Sequence, residues 1–400
     1  MVQAPWLTII GLGEDGVEGL CNASRNALDM AEVIMAPPRH MAMLPDTGAK
    51  RIEWPVPFAD GVSQLLELRG RPVAVLASGD PFWFGAGSVL TASLEQSEWT
   101  AFPGRSTFSL VAARLGWPLE RTACLGLHAR PHEELRGMLA PHARAILLLR
   151  DGAAVRGLAE WLSSVGFEDS TLTIFEALGG RRERCRTAKA GDFDLPDIRH
   201  PVCVALDAVG TGDVLTLASG RSDMWFDSDG QMTKRPMRAL TLSALAPKPG
   251  DHLWDLGAGA GSISVEWGLC HPSLTATAVE LRADRAARIV QNAARFGMQS
   301  RIQVLEGAAV DLLKDLPMPQ AVFIGGGLSD TLLEALWACL ASGVRVVANA
   351  VTLESQALLS QWHQRCGGDL IKVELSQAKP LGDLRGWSAA YPVVQWSGRR

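Results

Sequence analysis

Short apolar runs alternate along the whole chain with stretches whose apolar residues recur at helical spacing, a pattern that predicts α/β units around largely parallel sheets. In the first half the runs predict strands at Leu7–Ile10, Val33–Ala36, Val73–Ala77, Trp99–Phe102, Ile146–Leu149, Thr171–Ala177 and Val202–Leu206. A stretch without regular apolar periodicity follows, GTGDVLTLASGRSDMWFDSDGQMTKRP, rich in Gly, Ser and Asp. It places a domain boundary at about Val209 to Ser222, with one domain over residues 1–210 and a second over 211–400. The second half predicts strands at His252–Asp255, Thr275–Glu280, Ile302–Glu306, Ala321–Ile324, Val344–Asn349, Ile371–Leu375 and Tyr391–Trp396. Seven strands with helices between them describe one complete doubly wound domain. The halves share no sequence repeat, yet each carries a glycine-rich turn after a strand.

Four hundred residues exceed the size at which a single core stops growing, which agrees with two domains. The chain is 47% hydrophobic and 20% charged, has no apolar run long enough to span a bilayer, and begins MVQAPW without a cationic leader; a cytoplasmic protein without membrane contact is expected. The seven cysteines are never closer than 18 residues, so neither a zinc site nor a disulfide framework is indicated, and no metal is expected. Residues 1–210 hold 20 Lys and Arg against 25 Asp and Glu, and residues 211–400 hold 18 against 18. Neither half has the cation excess of a nucleic-acid binder. Of the cations 31 are Arg and 7 are Lys, a bias that suits bidentate binding of a small molecule with several carboxylates, though it also fits genome composition alone.

In LWDLGAGAGSISVEW, Gly257, Ala258, Gly259, Ala260 and Gly261 form a tight turn that lets a ligand approach the backbone, and the following helix offers its N-terminal dipole. Glu280 closes the next strand, 25 residues after Asp255, where a carboxylate can accept hydrogen bonds from ribose hydroxyls. The third strand ends in EGAA, so that Ala309 can meet an adenine edge. This order resembles the seven-stranded methyltransferases that use S-adenosylmethionine; a dinucleotide loop is the alternative. The fourth strand ends VFIGGG, with no side-chain acceptor for an amine, which favours a flat acceptor with a carbon nucleophile or else a loop without ligand contact. Ahead of the sheet, Thr233, Lys234 and Arg235 cluster at a helix start, able to close over a cofactor and meet carboxylates, or simply to be solvated.

The first half lacks an acid at the dinucleotide spacing after Gly11 and Gly13. It has instead a turn at Gly79, Asp80 and Pro81 and another at Pro103, Gly104, Ser106 and Thr107. GxG, GDP and PGxS turns in this order resemble the tetrapyrrole methylase superfamily, which binds S-adenosylmethionine between two α/β lobes. Over nearly all its length the chain is similar to the fused, decarboxylating precorrin-6Y C5,15-methyltransferase family of cobalamin biosynthesis. DGQMTKRPMRALTLSALAP, FIGGG, VANAVTLES and the terminal PVVQW carry that similarity in the second half, and PPRHM stands where the family has a short Arg-His motif.

The resemblance implies a two-lobed class III methylase fold followed by a Rossmann-like class I methyltransferase domain. It implies methylation of precorrin-6B at carbon 5 by the first, and methylation at carbon 15 with decarboxylation of the ring-C acetate by the second, giving precorrin-8. Two S-adenosylmethionine sites follow: Gly11, Gly79, Asp80, Ser106 and Thr107 in the first, and Thr233, Gly257 to Gly261, Glu280 and Ala309 in the second. Lys234, Arg235, Asn349 and His40 are the candidate catalytic groups. His252 and His271 flank strands and are expected to be structural, and the run RRERCR at Arg181–Arg186 to be a solvated hairpin. A tetrapyrrole substrate and a homo-oligomer are expected, with no nucleic-acid partner. A nicotinamide-dependent oxidoreductase and a non-catalytic corrinoid-binding protein remain as alternatives.

Overall fold

The computed structural model describes residues 5–400, so the first four residues of the MVQAPW stretch lie outside the described part. Two units divide the chain: Met1–His132 with Leu139–Asp213, and Glu133–Met138 with Val214–Arg400.

The first unit is built on two sheets. Strands β1 (Leu7–Leu12), β2 (Val33–Ala36), β3 (Lys50–Glu53), β4 (Val73–Ser78) and β5 (Trp99–Phe102) form an all-parallel sheet in the order β3-β2-β4-β1-β5. Strands β6 (Ala123–Gly126), β7 (Arg144–Leu149), β8 (Thr171–Glu176), β9 (Arg184–Lys189) and β10 (Val202–Asp207) form a mixed sheet in the order β6-β7-β10-β8-β9. Side-chain alternation splits the first sheet's core in two: Ile10, Ile34, Ala74 and Leu76 pack on one face, and Ile9, Val33, Met35 and Val75 on the other. The helix Thr107–Leu115 places Phe108 and Val111 against Ile146, Phe175 and Cys203 of the second sheet.

In the second unit, β11 (His252–Leu256), β12 (Thr275–Glu280), β13 (Ile302–Glu306), β14 (Ala321–Ile324), β15 (Arg345–Ala350), β16 (Asp369–Val373) and, after the hairpin β17 (Ser376–Leu381) and β18 (Leu384–Ala389), β19 (Val393–Arg399) are present. Seven of them make one sheet, β13-β12-β11-β14-β15-β19-β16, parallel except for β19. Both faces are covered: Leu253 lies with Val265, Trp267 and Ile289, while its neighbour Trp254 lies with Ile324, Leu333 and Trp396. This is the expected seven-stranded, Rossmann-like architecture.

Strands predicted from continuous apolar runs all occur. Those missed are exposed or short: β3, β9 and the hairpin β17–β18 carry exposed polar residues in place of a buried run, and β6 is only the four residues ACLG. The run Arg181–Arg186 does form a hairpin, β8 to β9, with Arg181 and Arg182 exposed at its turn, but the expectation of solvation is corrected for Arg184 and Arg186, which both donate from β9 to the buried Glu176, otherwise an uncompensated charge. No helix among the described residues is long and apolar enough to cross a membrane, and no group of three or more potential metal ligands occurs among them.

Candidate functional site

In the first unit the three predicted turns meet back to back. Gly11 ends β1 with its Cα against Gly79 and Gly104, so that a Cβ there would overlap the Gly79 carbonyl and the Gly104 amide. Gly79 N donates to Leu12 O at 3.0 Å and Gly104 N to Gly79 O at 3.0 Å, closing the cluster. Ser106 is buried and caps the helix Thr107–Leu115, its Oγ accepting from Ser109 N at 3.0 Å. Asp80 Oδ1 accepts from Phe82 N at 2.9 Å. Beside these turns lies a cavity of about 150 Å³, walled by both sheets of the unit and lined by Gly13, Gly79 and Thr107. Gly79 and Thr107 therefore face the space directly, while Gly11 and Ser106 shape the backbone behind it.

His40 does not reach this cavity, because the short helix Pro38–Met41 turns its ring inward, where it is 1% exposed. Burial first, and the Arg39 charge second, hold its pKa at about 4, so the ring is neutral. Arg39 lines the cavity instead. Its Nη2 donates to Ser78 Oγ at 2.8 Å and to His40 Nε2 at 3.1 Å, and its Nη1 pairs with Glu14. A guanidinium only donates, so His40 Nε2 is the acceptor.

In the second unit the glycine turn is packed against the end of β14. A Cβ on Gly257 (φ +67°) would stand 2.5 Å from Gly326 O, whereas one on Gly259 (φ +60°) would meet nothing nearer than Gln231 O at 3.5 Å. Gly257 thus serves the protein's own packing, and Gly259 leaves open space. Glu280 is buried; its Oε2 accepts from Gly259 N at 2.8 Å and its Oε1 from Arg282 N at 3.1 Å. Ala309 begins the short helix after β13, half-buried.

Asp255, at the end of β11, is fully buried, with Oδ2 accepting from Ser264 N and Oγ at 3.2 and 2.7 Å. Its Oδ1 is buried without a protein partner. Burial pushes the carboxyl up to about 6, against the Ser264 hydrogen bonds and with a contribution from the Glu280 charge. A buried acceptor left open beneath a glycine turn fits a bound group that brings its own donor, such as an ammonium or an ordered water.

A polar framework that the sequence did not reveal holds the segment ahead of the sheet. Glu266 accepts from Gly220 N, Arg221 N and Nη1, and Arg238 Nε, the last at 2.6 Å. Arg238 is 0% exposed and also donates to the carbonyls of Thr233 and Arg221 at 2.5 Å each. Asn292 donates to Asp227 O and Ala260 O, tying that segment to the glycine turn. Arg235 donates from Nε to Gly220 O, so its guanidinium serves this framework, while Lys234 is exposed. Asn349 is bonded to Thr241 Oγ1 at 2.9 Å and to Gln395 Nε2 at 2.9 Å. The signal for these groups in the sequence is a single charged residue inside an otherwise uncharged helix, as with Glu266 in SISVEWGLC. His252 bonds Thr275 and Thr277, and His271 bonds Ser273, as structural histidines do.

A family model described as Tetrapyrrole (Corrin/Porphyrin) Methylases matches residues 7–194, and one described as Precorrin methyltransferase domain matches residues 224–400. A Sinorhizobium protein named precorrin-6Y C(5,15)-methyltransferase (decarboxylating) is 45% identical over 402 residues, covering 99% of this chain and 97% of that one. A protein of the same name from Mycobacterium tuberculosis is 39% identical over 400 residues, covering 98% and 99%. The crystal structure of the C-terminal domain of precorrin-6Y C5,15-methyltransferase from Rhodobacter capsulatus is 52% identical, with 46% of this chain and 100% of that one covered and a TM-score of 0.45.

Proposed function

Because the chain belongs to the decarboxylating precorrin-6Y C5,15-methyltransferases, we propose that its two units divide that work, each with its own S-adenosylmethionine site. The activity is methylation of a precorrin at carbons 5 and 15 with decarboxylation, in cobalamin biosynthesis. Residues 1–210 would act at carbon 5 and residues 211–400 at carbon 15, with precorrin-6B as substrate, the carboxyl of the ring-C acetate as the group lost and precorrin-8 as product. The observation that carries this reading is the presence of two unrelated glycine-turn edges in one chain, Gly11 with Gly79 and Gly104, and Gly257–Gly261 with Glu280.

S-adenosylmethionine supplies an electrophilic methyl group on a sulfonium. The chain's part is chiefly alignment. Gly79 and Thr107 would hold the cofactor in the first unit. In the second, the turn Gly257–Gly261, Thr233 and Ala309 would do so, with Glu280 on the ribose and Asp255 Oδ1 accepting from an ammonium or its water. Departure of the acetate's carboxylate as carbon dioxide leaves its bonding electron pair on the retained carbon and in the conjugated system, so the second site needs no side-chain base.

Calorimetry with S-adenosylhomocysteine is expected to give two sites per chain; a single site on a chain with both units folded contradicts the division. Mass analysis of the product formed from precorrin-6B is expected to show two added methyl groups and one lost carboxylate.

Asp255 makes binding in the second unit pH-dependent. Its pKa is raised, so it is protonated below about 6, and a ligand that donates to it must expel that proton. Affinity for S-adenosylhomocysteine at this site is expected to fall by roughly tenfold per pH unit below 6. The sign for stability is opposite. Without ligand, the contribution of a raised carboxyl is complete below its ordinary value and is lost as pH rises through about 6. Asp255→Asn is therefore expected to stabilise the unliganded second unit above pH 6, by on the order of 2 kcal/mol, while weakening binding. Equal affinity at pH 5 and 7.5 would contradict this role.

A further inference from the structure

The two methylations dispose of charge differently, and on the two-site reading above that difference calls for a group in the first unit. Methyl transfer to carbon 5 forms a carbon–carbon bond with the tetrapyrrole's own electron pair. The carbon–sulfur bond breaks with its pair left on sulfur, and the sulfonium's positive charge passes to the tetrapyrrole. At carbon 15 the departing carboxylate cancels that charge, since its bonding pair stays behind. At carbon 5 nothing leaves, so the product must release a proton, and a base must take it.

The ionisable groups lining the first unit's cavity are Glu14, Arg39, Arg105, His128, His200 and Cys203. The two arginines have no acceptor. Glu14 is paired with Arg39 through one carboxylate oxygen and lies 3.8 Å from Arg182 through the other, so both oxygens are taken up by guanidinium groups. The Cys203 thiol is 3% exposed, and burial drives its pKa upward, so it offers no thiolate. Two imidazoles remain, both on the wall formed by the second sheet: His128 just after β6 and His200 just before β10.

The two differ in how they are held. His200 Nδ1 lies 3.0 Å from Arg150 O, and a carbonyl only accepts, so Nδ1 carries the hydrogen. The neutral ring then has its lone pair on Nε2. Burial first, and the charge His200 would carry second, hold the pKa of His128 below the ordinary imidazole value. We propose that His200 Nε2, oriented by the Arg150 carbonyl, accepts the proton released when carbon 5 is methylated. His200 is exposed along the cavity, which gives the proton a route to solvent after the product forms. His40 has no part in this, because it is buried and its Nε2 is occupied by Arg39.

The test uses the full chain with precorrin-6B and S-adenosylmethionine, read by product mass in single turnover, so that the carbon 15 reaction serves as an internal control. In His200→Asn and His200→Ala the carbon 5 methylation is expected to slow by roughly 10²- to 10⁴-fold, the ordinary contribution of a general base. Carbon dioxide release, the carbon 15 methyl group and S-adenosylhomocysteine affinity should be unchanged. Added imidazole should restore the first methylation in His200→Ala, which a packing role would not allow. Nitrogen-15 spectra of the unliganded wild-type protein should show His200 as the Nδ1–H tautomer when neutral. Normal carbon 5 methylation by His200→Asn overturns the proposal alone. So does loss of S-adenosylhomocysteine binding without rescue by imidazole, which would make His200 a cofactor contact. Failure of the wild-type chain to methylate carbon 5 overturns the two-site reading and this proposal together.

Discussion

Gly259→Arg is expected to abolish both carbon dioxide release and methylation at carbon 15 while the chain still methylates carbon 5. Gly259 sits at φ +60° with open space beyond it, its N–H donating to Glu280 Oε2. A Cβ there clashes with nothing, its nearest neighbour being the Gln231 carbonyl at 3.5 Å, so the second unit should fold at a local cost of about 1–3 kcal/mol for the left-handed conformation. The arginine would instead fill the space between the glycine turn and the Gln231 carbonyl, where a cofactor must approach the backbone. Overlap of that size is expected to weaken S-adenosylhomocysteine binding in the second unit by roughly a hundredfold or more. The expected product gains a single methyl group and keeps every carboxylate. Carbon dioxide release at the wild-type rate by a folded Gly259→Arg protein would show that decarboxylation does not depend on this cofactor site.

The reciprocal control cannot be Gly11→Arg. At Gly11 a side chain would overlap the backbone of both Gly79 and Gly104, so the substitution should disrupt the first unit and not merely empty its site. Thr107→Tyr is the suitable partner, because Thr107 lines the cavity from the start of an intact helix. With this variant the complementary product is expected, lacking the carbon 5 methyl group but decarboxylated and methylated at carbon 15, as product mass would show.

What could be read from the sequence was whatever a local pattern encodes. Buried parallel strands are nearly unbroken apolar runs, so β1, β2, β4, β11, β12, β14 and β15 are visible without partners. Glycine turns are visible because φ and close approach leave few other residues possible. Edge strands such as β9 were hidden because RCRTAK has the polarity of a loop, and only pairing with Thr171–Glu176 makes it a strand. The candidate site was legible where its structure is local, at the turn Gly257–Gly261 that Glu280 bonds through Gly259 N. It was not legible where partners lie far apart in the chain, as with Thr241 and Gln395, 154 residues apart. The Arg-His pair was found, but which member faces the cavity depends on the inward turn of the helix Pro38–Met41, which spacing does not encode. His200 was passed over for the same reason: its tautomer is set by a carbonyl 50 residues away.

Glu266→Gln is expected to destabilise the second unit more than any substitution of its glycine turn that avoids a backbone clash. The carboxylate is 0% exposed and is shared by Arg238, 0% exposed, and Arg221, 5% exposed. Removing one partner of a buried ion pair leaves the other charge uncompensated, at a cost of about 3–5 kcal/mol. The amide can still accept at one oxygen, but its NH₂ group would face one guanidinium and one backbone N–H, both donors: Arg238 Nε with Arg221 N on one side, or Arg221 Nη1 with Gly220 N on the other. Because Arg238 also holds the Thr233 carbonyl, the loss should propagate to the segment proposed to cover the cofactor. Urea unfolding monitored by tryptophan fluorescence, with Trp225, Trp254 and Trp267 in the second unit, is expected to show its transition shifted to lower denaturant. S-adenosylhomocysteine binding there should weaken in parallel, while carbon 5 methylation continues. A Glu266→Gln protein with wild-type unfolding would mean that the charges of Arg221 and Arg238 are balanced by groups other than Glu266, with Asp223, 3.0 Å from Arg238 Nη2, the first to be tested.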